Sequence, residues 1–263
     1  MQFSAVGGGE TFIKTRNVFL IGDSWLAWRN GRGRGNVQKG LEDLGFRVEN
    51  FAQNGVTLNN FWWKENMSWE KWAEVKKEDA MVITIGFNEI SDRDMNAKGE
   101  VEVGNILQQA LEQSNHVVLI IPNQPSCQYF IVRAEWYLLN QRDDLNEPDS
   151  FANAKKRQQL YASRHQKLVS LFKSIQASHQ SLRIVEMQDE LTPEDIFEDG
   201  CHLSHQGAAK TAHAIAQSLK CQRRDGAGKS SAYASKVLLA IVMFMVARFF
   251  RRRLLHKRPK TRM

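Results

Sequence analysis

Cysteine is scarce in this chain. The three present among 263 residues, Cys127, Cys201 and Cys221, lie far apart and form no C-x-x-C pattern. A sequence-local zinc or redox motif is thereby excluded, and an odd number of thiols cannot all pair within one chain. Also missing is the basic region, long apolar run and small-residue cleavage site of a secretory signal. Residues 1–16 contain Gly7-Gly8-Gly9 and read as a flexible lead-in, and the apolar run at 18–21 is too short for a signal core. The body of the chain lacks basic excess as well. Residues 1–219 hold 23 Lys and Arg against 28 Asp and Glu, whereas residues 220–263 hold 13 against one. The net charge of +7 therefore belongs to the tail. No nucleic-acid-binding body is expected, and the tail is the part suited to a membrane or polyanion.

What is present is an ordinary globular composition, 42% apolar and 25% charged, with five apolar runs of strand length. They are 18–21, 46–51, 81–85, 117–121 and 182–186. Between them the spacing predicts helices near 37–44, 57–77, 100–114, 151–178 and 204–219. Residues 123–150 show no clear pattern, and 188–201 read as loop. Strands alternating with helices predict a parallel sheet covered on both faces. In such sheets function gathers at the carboxyl ends of the strands. Polar clusters stand there after the first three runs: Asp23-Ser24, Asn54-Gly55 and Asn88-Glu89.

Those clusters suit acyl transfer. A serine hydroxyl is a poor nucleophile unless a base takes its proton, and the base must itself be oriented. Ser24 follows the first strand, and Asp199-Gly200-Cys201-His202 supplies a base and an orienting carboxylate three residues apart. Gly55, Asn88 and the Ser24 N–H are candidate donors to an oxyanion. Taken singly, each has a plainer use: Ser24 as a helix cap, Gly55 and Asn88 as turn residues. Cys201 beside His202 suggests a Cys–His pair, but neighbours on an extended chain point to opposite sides. His205 competes with His202 and has no aspartate three residues before it. The segment 226–230 (Gly-Ala-Gly-Lys-Ser) has the end of a phosphate-binding loop without its earlier glycine, and reads as linker.

Taken together and in order, the blocks resemble those of the SGNH (GDSL-like) hydrolase superfamily. Gly22-Asp23-Ser24 resembles the first, Asn54-Gly55 the second, Gly86-Phe87-Asn88-Glu89 the third, and Asp199-Gly200-Cys201-His202-Leu203-Ser204 the last. Glu89 stands where the family more often has aspartate. The resemblance spans residue 17 to about 219. It implies a flavodoxin-like three-layer α/β/α sandwich with a mostly parallel sheet. It also implies a serine esterase with Ser24, Asp199 and His202 as its catalytic set, Ser24, Gly55 and Asn88 as oxyanion donors, and neither metal nor cofactor. An acyltransferase using the same site, or a non-catalytic binding module on the same fold, are the rival readings.

Six of seven tryptophans fall between residues 25 and 72. Trp25 and Trp62 are candidate substrate walls, suited equally to an acyl chain or a sugar ring, so lipid and carbohydrate esters both stay open as partners. The tail carries an apolar run at 237–247, extended by 232–250 with Lys236 and Arg248 near its ends, then a purely basic stretch. Its length approaches the roughly 20 apolar residues of a spanning helix, which predicts a membrane anchor. The side of the membrane is not fixed, because the basic end favours the cytosol while no signal accounts for export of the body. The expected organisation is a lead-in at 1–16, a hydrolase domain at 17–222, a linker at 223–236 and an anchor with basic tail at 237–263.

Overall fold

Each run continues to a point where a polar residue, a glycine or a proline stops it, and five such runs build one sheet. The computed structural model describes residues 17–27, 35–61, 72–92, 94–131 and 151–220. The strands are β1 (Asn17–Gly22), β2 (Arg47–Asn50), β3 (Ala80–Thr84), β4 (His116–Ile121) and β5 (Leu182–Glu186). They lie in the order β2-β1-β3-β4-β5, every pair parallel. Val18 stands opposite both Val48 and Ala80, and Val117 opposite Leu182.

The side-chain period of two sends alternate residues to two cores. Phe19, Ile21, Met81, Ile83, Val117 and Leu119 pack on one face. They meet Val103, Ile106 and Leu107 of one helix (Ala97–Gln113) and Leu168 and Phe172 of another (Phe151–Ser178). Val18, Leu20, Ala80, Val82, Val118 and Ile120 pack on the other face. There they meet Val37 and Leu41 of the helix Val37–Asp43 and Ala208, Ala212 and Ile215 of the helix at 205–220. The result is the expected three-layer sandwich, with a sheet that is wholly parallel among the described residues.

After β1 the chain builds outward to β2, then returns to build β3 on the other side. The carboxyl ends of β1 and β3 therefore flank the point where strand order reverses, the usual place for a ligand crevice in such sheets. The helix expected across 57–77 is not a single helix. Among its described residues are a 3₁₀ turn at Leu58–Asn60, helical residues at 72–73 and non-helical residues at 74–77, and residues 62–71, with Trp62, lie outside the described set. Among the described residues no helix is long and apolar enough to cross a membrane. The expected anchor at 237–263 and linker at 223–236 also lie outside the described residues.

Candidate active site

The strand-to-helix turn after β1 is held by its own aspartate. The carbonyl of Asp23 accepts from the N–H groups of Leu26 and Ala27 (3.2 and 3.1 Å), and its Oδ1 accepts from Trp25 N–H at 3.1 Å. This caps the single helical turn Ser24–Ala27 and sets Ser24 at its first position. Gly22 precedes it at φ +133, where a Cβ would collide with the Thr84 carbonyl. Only glycine allows β1 and β3 to approach so closely at this edge.

Thr84 is a residue of the site that its sequence context does not single out. Fully buried at the end of β3, its hydroxyl donates to Asp23 Oδ1 at 2.9 Å and accepts from Asp23 N–H at 3.1 Å. The signal there is general: a hydroxyl inside the apolar run Met81-Val82-Ile83-Thr84-Ile85 needs a partner once buried. Burial raises the Asp23 carboxyl above its ordinary value. Hydrogen bonds from Trp25 and Thr84, and the nearby His202, pull the other way.

The last block folds as an irregular hairpin. Ile196 and Leu203 pair across it, the Phe197 N–H donates to the His202 carbonyl at 2.7 Å, and Gly200 turns at φ +73. Within the turn, Asp199 Oδ1 accepts from the N–H groups of Cys201 and His202 (3.1 and 3.0 Å). Asp199 Oδ2 lies 2.8 Å from His202 Nδ1, and His202 Nε2 lies 2.9 Å from Ser24 Oγ. Burial pushes the Asp199 carboxyl up. The hydrogen bonds from the His202 ring and backbone outweigh it and hold the group well below the usual carboxylate range. Asp199 is therefore an anion at neutral pH and fixes the ring with Nδ1–H toward itself, leaving Nε2 as the acceptor facing Ser24. His205, three residues on, is exposed at the start of the helix at 205–220.

Ser24 opens onto a cleft of about 350 Å³, its mouth included. Asn88, Asn123, Cys201 and the aromatics Trp25, Phe87, Tyr129 and Tyr161 share its lining. Asn88 Nδ2 donates to the Val56 carbonyl at 2.7 Å, so the end of β3 is tied to the turn that carries Gly55. An amide nitrogen carries two hydrogens, and this contact uses one. Gly55 itself turns at φ +67 with open space where a Cβ would stand. Glu89, the departure from the family pattern, accepts a hydrogen bond from Leu58 N–H, bracing the same turn. Trp25 lines the cleft but is only 5% exposed, so it serves as floor more than as a free wall. Among the described residues no group of three or more His, Cys, Asp or Glu side chains is arranged to hold a metal ion.

No protein-family model and no curated protein matches the sequence. Solved structures do match in shape. A member of the lipolytic protein G-D-S-L family from Veillonella parvula is 14% identical with a TM-score of 0.51, over 77% of this chain and 97% of that one. A protein from Bacillus subtilis is 16% identical with a TM-score of 0.51, over 80% of this chain and 57% of that one. A catalytic mutant of Axe2, an acetylxylan esterase from Geobacillus stearothermophilus, is 18% identical with a TM-score of 0.50, over 78% and 94%. Identities this low speak of the fold. The chain has an SGNH hydrolase-like fold, as the order of its sequence blocks predicts.

Proposed function

We propose that this protein is a serine esterase. One observation carries the reading: the continuous line from Asp199 Oδ2 through His202 to Ser24 Oγ, with contacts of 2.8 and 2.9 Å, ending at a cleft. In this reading Ser24 Oγ attacks the ester carbonyl while His202 Nε2 takes its proton. The resulting imidazolium is stabilised by the anionic Asp199. The carbonyl oxygen gains the negative charge, received by the Ser24 and Gly55 N–H groups and the Asn88 amide. Collapse of this intermediate breaks the bond to the alcohol, which leaves with the proton from His202. Water, deprotonated by the same ring, then releases the acid from Ser24. We also propose that the tail from 237 onward tethers this domain to a membrane, on the strength of its apolar run and basic end.

The direct test is a fluorophosphonate probe together with ester turnover. The wild-type chain is expected to be labelled on Ser24 and to hydrolyse short esters. Ser24→Ala is expected to abolish labelling and cut turnover by on the order of 10³-fold or more while staying folded. Ordinary turnover in a folded Ser24→Ala protein would overturn the assignment.

A further inference from the structure

The cleft carries information about its substrate that the Ser24–His202–Asp199 line does not. Its described lining contains no Leu, Ile, Val or Met. It offers aromatic faces (Phe87, Tyr129, Tyr161) and the short rings of Pro122 and Pro125, together with the amides of Asn88 and Asn123. A long acyl chain gains from aliphatic walls that lose water when it binds. This lining suits instead a small group carrying its own polar atoms.

Asn123 makes the point specific. It follows Pro122 directly beyond the end of β4, which pairs in parallel with β3, so Asn88 and Asn123 stand on one sheet edge beside Ser24. The Asn88 side chain is tied through Nδ2 to the Val56 carbonyl, and its backbone carbonyl accepts from Ser91 Oγ at 2.8 Å. Asn123 differs: its Oδ1 is buried and has no hydrogen-bond partner among the described residues. A buried amide oxygen without a partner is uncommon, because its lost hydration goes uncompensated. Rotation of the side chain toward the cleft that Asn123 lines lets a substrate hydroxyl remove that deficit. The hydroxyl can donate to the amide oxygen or accept from the amide nitrogen, so it matches either end of the amide.

We infer that Asn123 is a specificity-determining residue that holds a free hydroxyl of the substrate, and that the cleft takes short-acyl esters of polyhydroxylated alcohols. This rests on the esterase reading and narrows it. Its test compares glycerol monoacetate with propyl acetate, two esters of three-carbon alcohols that differ in their free hydroxyls, using the full-length chain. The wild type is expected to favour glycerol monoacetate in kcat/KM. Asn123→Leu is expected to shrink that preference by about tenfold, the order of one hydrogen bond, mainly through KM. Asn123→Ser, smaller and still hydroxylated, is expected to keep part of the preference, and serves if the leucine variant does not fold. Equal losses on both esters, or a wild type that prefers propyl acetate or esters of long acyl chains, would overturn the inference and leave the esterase standing. A chain that turns over neither ester and takes no fluorophosphonate at Ser24 would overturn the esterase reading, and this one with it.

Discussion

At Thr84 a single hydroxyl serves both the backbone and the side chain of Asp23, and through them the turn that presents Ser24. Thr84→Val keeps the shape and removes both hydrogen bonds. Leaving Asp23 less satisfied in a buried site is expected to cost roughly 1–3 kcal/mol in urea unfolding. Turnover should fall as well, because the helical turn loses part of its brace. The histidines divide more sharply. His202→Ala is expected to be as damaging as Ser24→Ala, while His205→Ala, exposed and outside the cleft lining, should be close to neutral in ester turnover. Greater sensitivity at His205 would refute the assignment of the base. For Asn88→Ala a loss of roughly 10²–10³-fold in kcat is expected if its amide serves the oxyanion. Part of that loss would reflect the broken tie to Val56, so Gly55-side mobility should be followed by amide exchange in the same variant.

At the scale of elements, the hairpin bearing Asp199 and His202 is pinned by a carboxylate that takes no part in the proposed chemistry. Asp195 is fully buried, and its Oδ2 accepts from Lys210 Nζ at 2.6 Å and from the N–H and hydroxyl of Thr192 at 2.7 and 3.0 Å. Its carbonyl accepts from Ser204 N–H at 2.8 Å, closing the other end of the hairpin. Gly207 lets the helix at 205–220 pass directly over the Asp195 backbone, where a Cβ would collide. Lys210→Met strands a buried carboxylate with neutral donors only. The expected result is a loss of roughly 1–3 kcal/mol in unfolding free energy, moderated because Lys210 is partly in water. A fall in kcat exceeding any rise in KM would show that the hairpin's position matters for the chemistry. This segment reads as loop in sequence because its pairing is the single pair Ile196 and Leu203, and most of its hydrogen bonds are made by side chains or across the turn.

Across the whole molecule, one histidine ties stability to pH. His165 is buried between Phe87 and Tyr161, ring centroids 5.6 and 6.0 Å away, with Nε2 3.2 Å from the Pro122 carbonyl. Burial lowers its pKa from the ordinary 6.5, against the Pro122 contact and the charge of Glu186. The fold therefore holds it neutral where the unfolded chain would take up a proton. Its contribution is fully present above 6.5 and is lost as pH falls from there toward the folded value. Urea midpoints should decline between pH 7.5 and 5.5, and His165→Gln should flatten part of that decline. The charge division of the chain gives a second expectation. If the tail spans a membrane, the full chain should resist extraction by salt and carbonate and dissolve in detergent. Release by salt alone would rule out a spanning anchor, since exposed charge contacts are screened within about 10 Å at 0.1 M.

The sequence by itself determined the strands, the layering and the order of the site blocks. β5 is Leu182–Glu186 and the long helix Phe151–Ser178, as their periodicity predicts, because local hydrophobic spacing fixes which face is buried. The polar clusters after the first three strands could be placed at one sheet edge because parallel strands all point the same way. Tertiary structure alone decided what reaches that edge from elsewhere. Tyr161 arrives from the middle of a helix, Asn123 from beyond a proline and Thr84 from inside an apolar run, and in sequence each looks like an ordinary core or turn residue. Their roles depend on separations of tens of residues being closed by packing, for Thr84 to hydrogen-bond distance of Asp23. No local pattern encodes that distance; the packing of two cores on one sheet does.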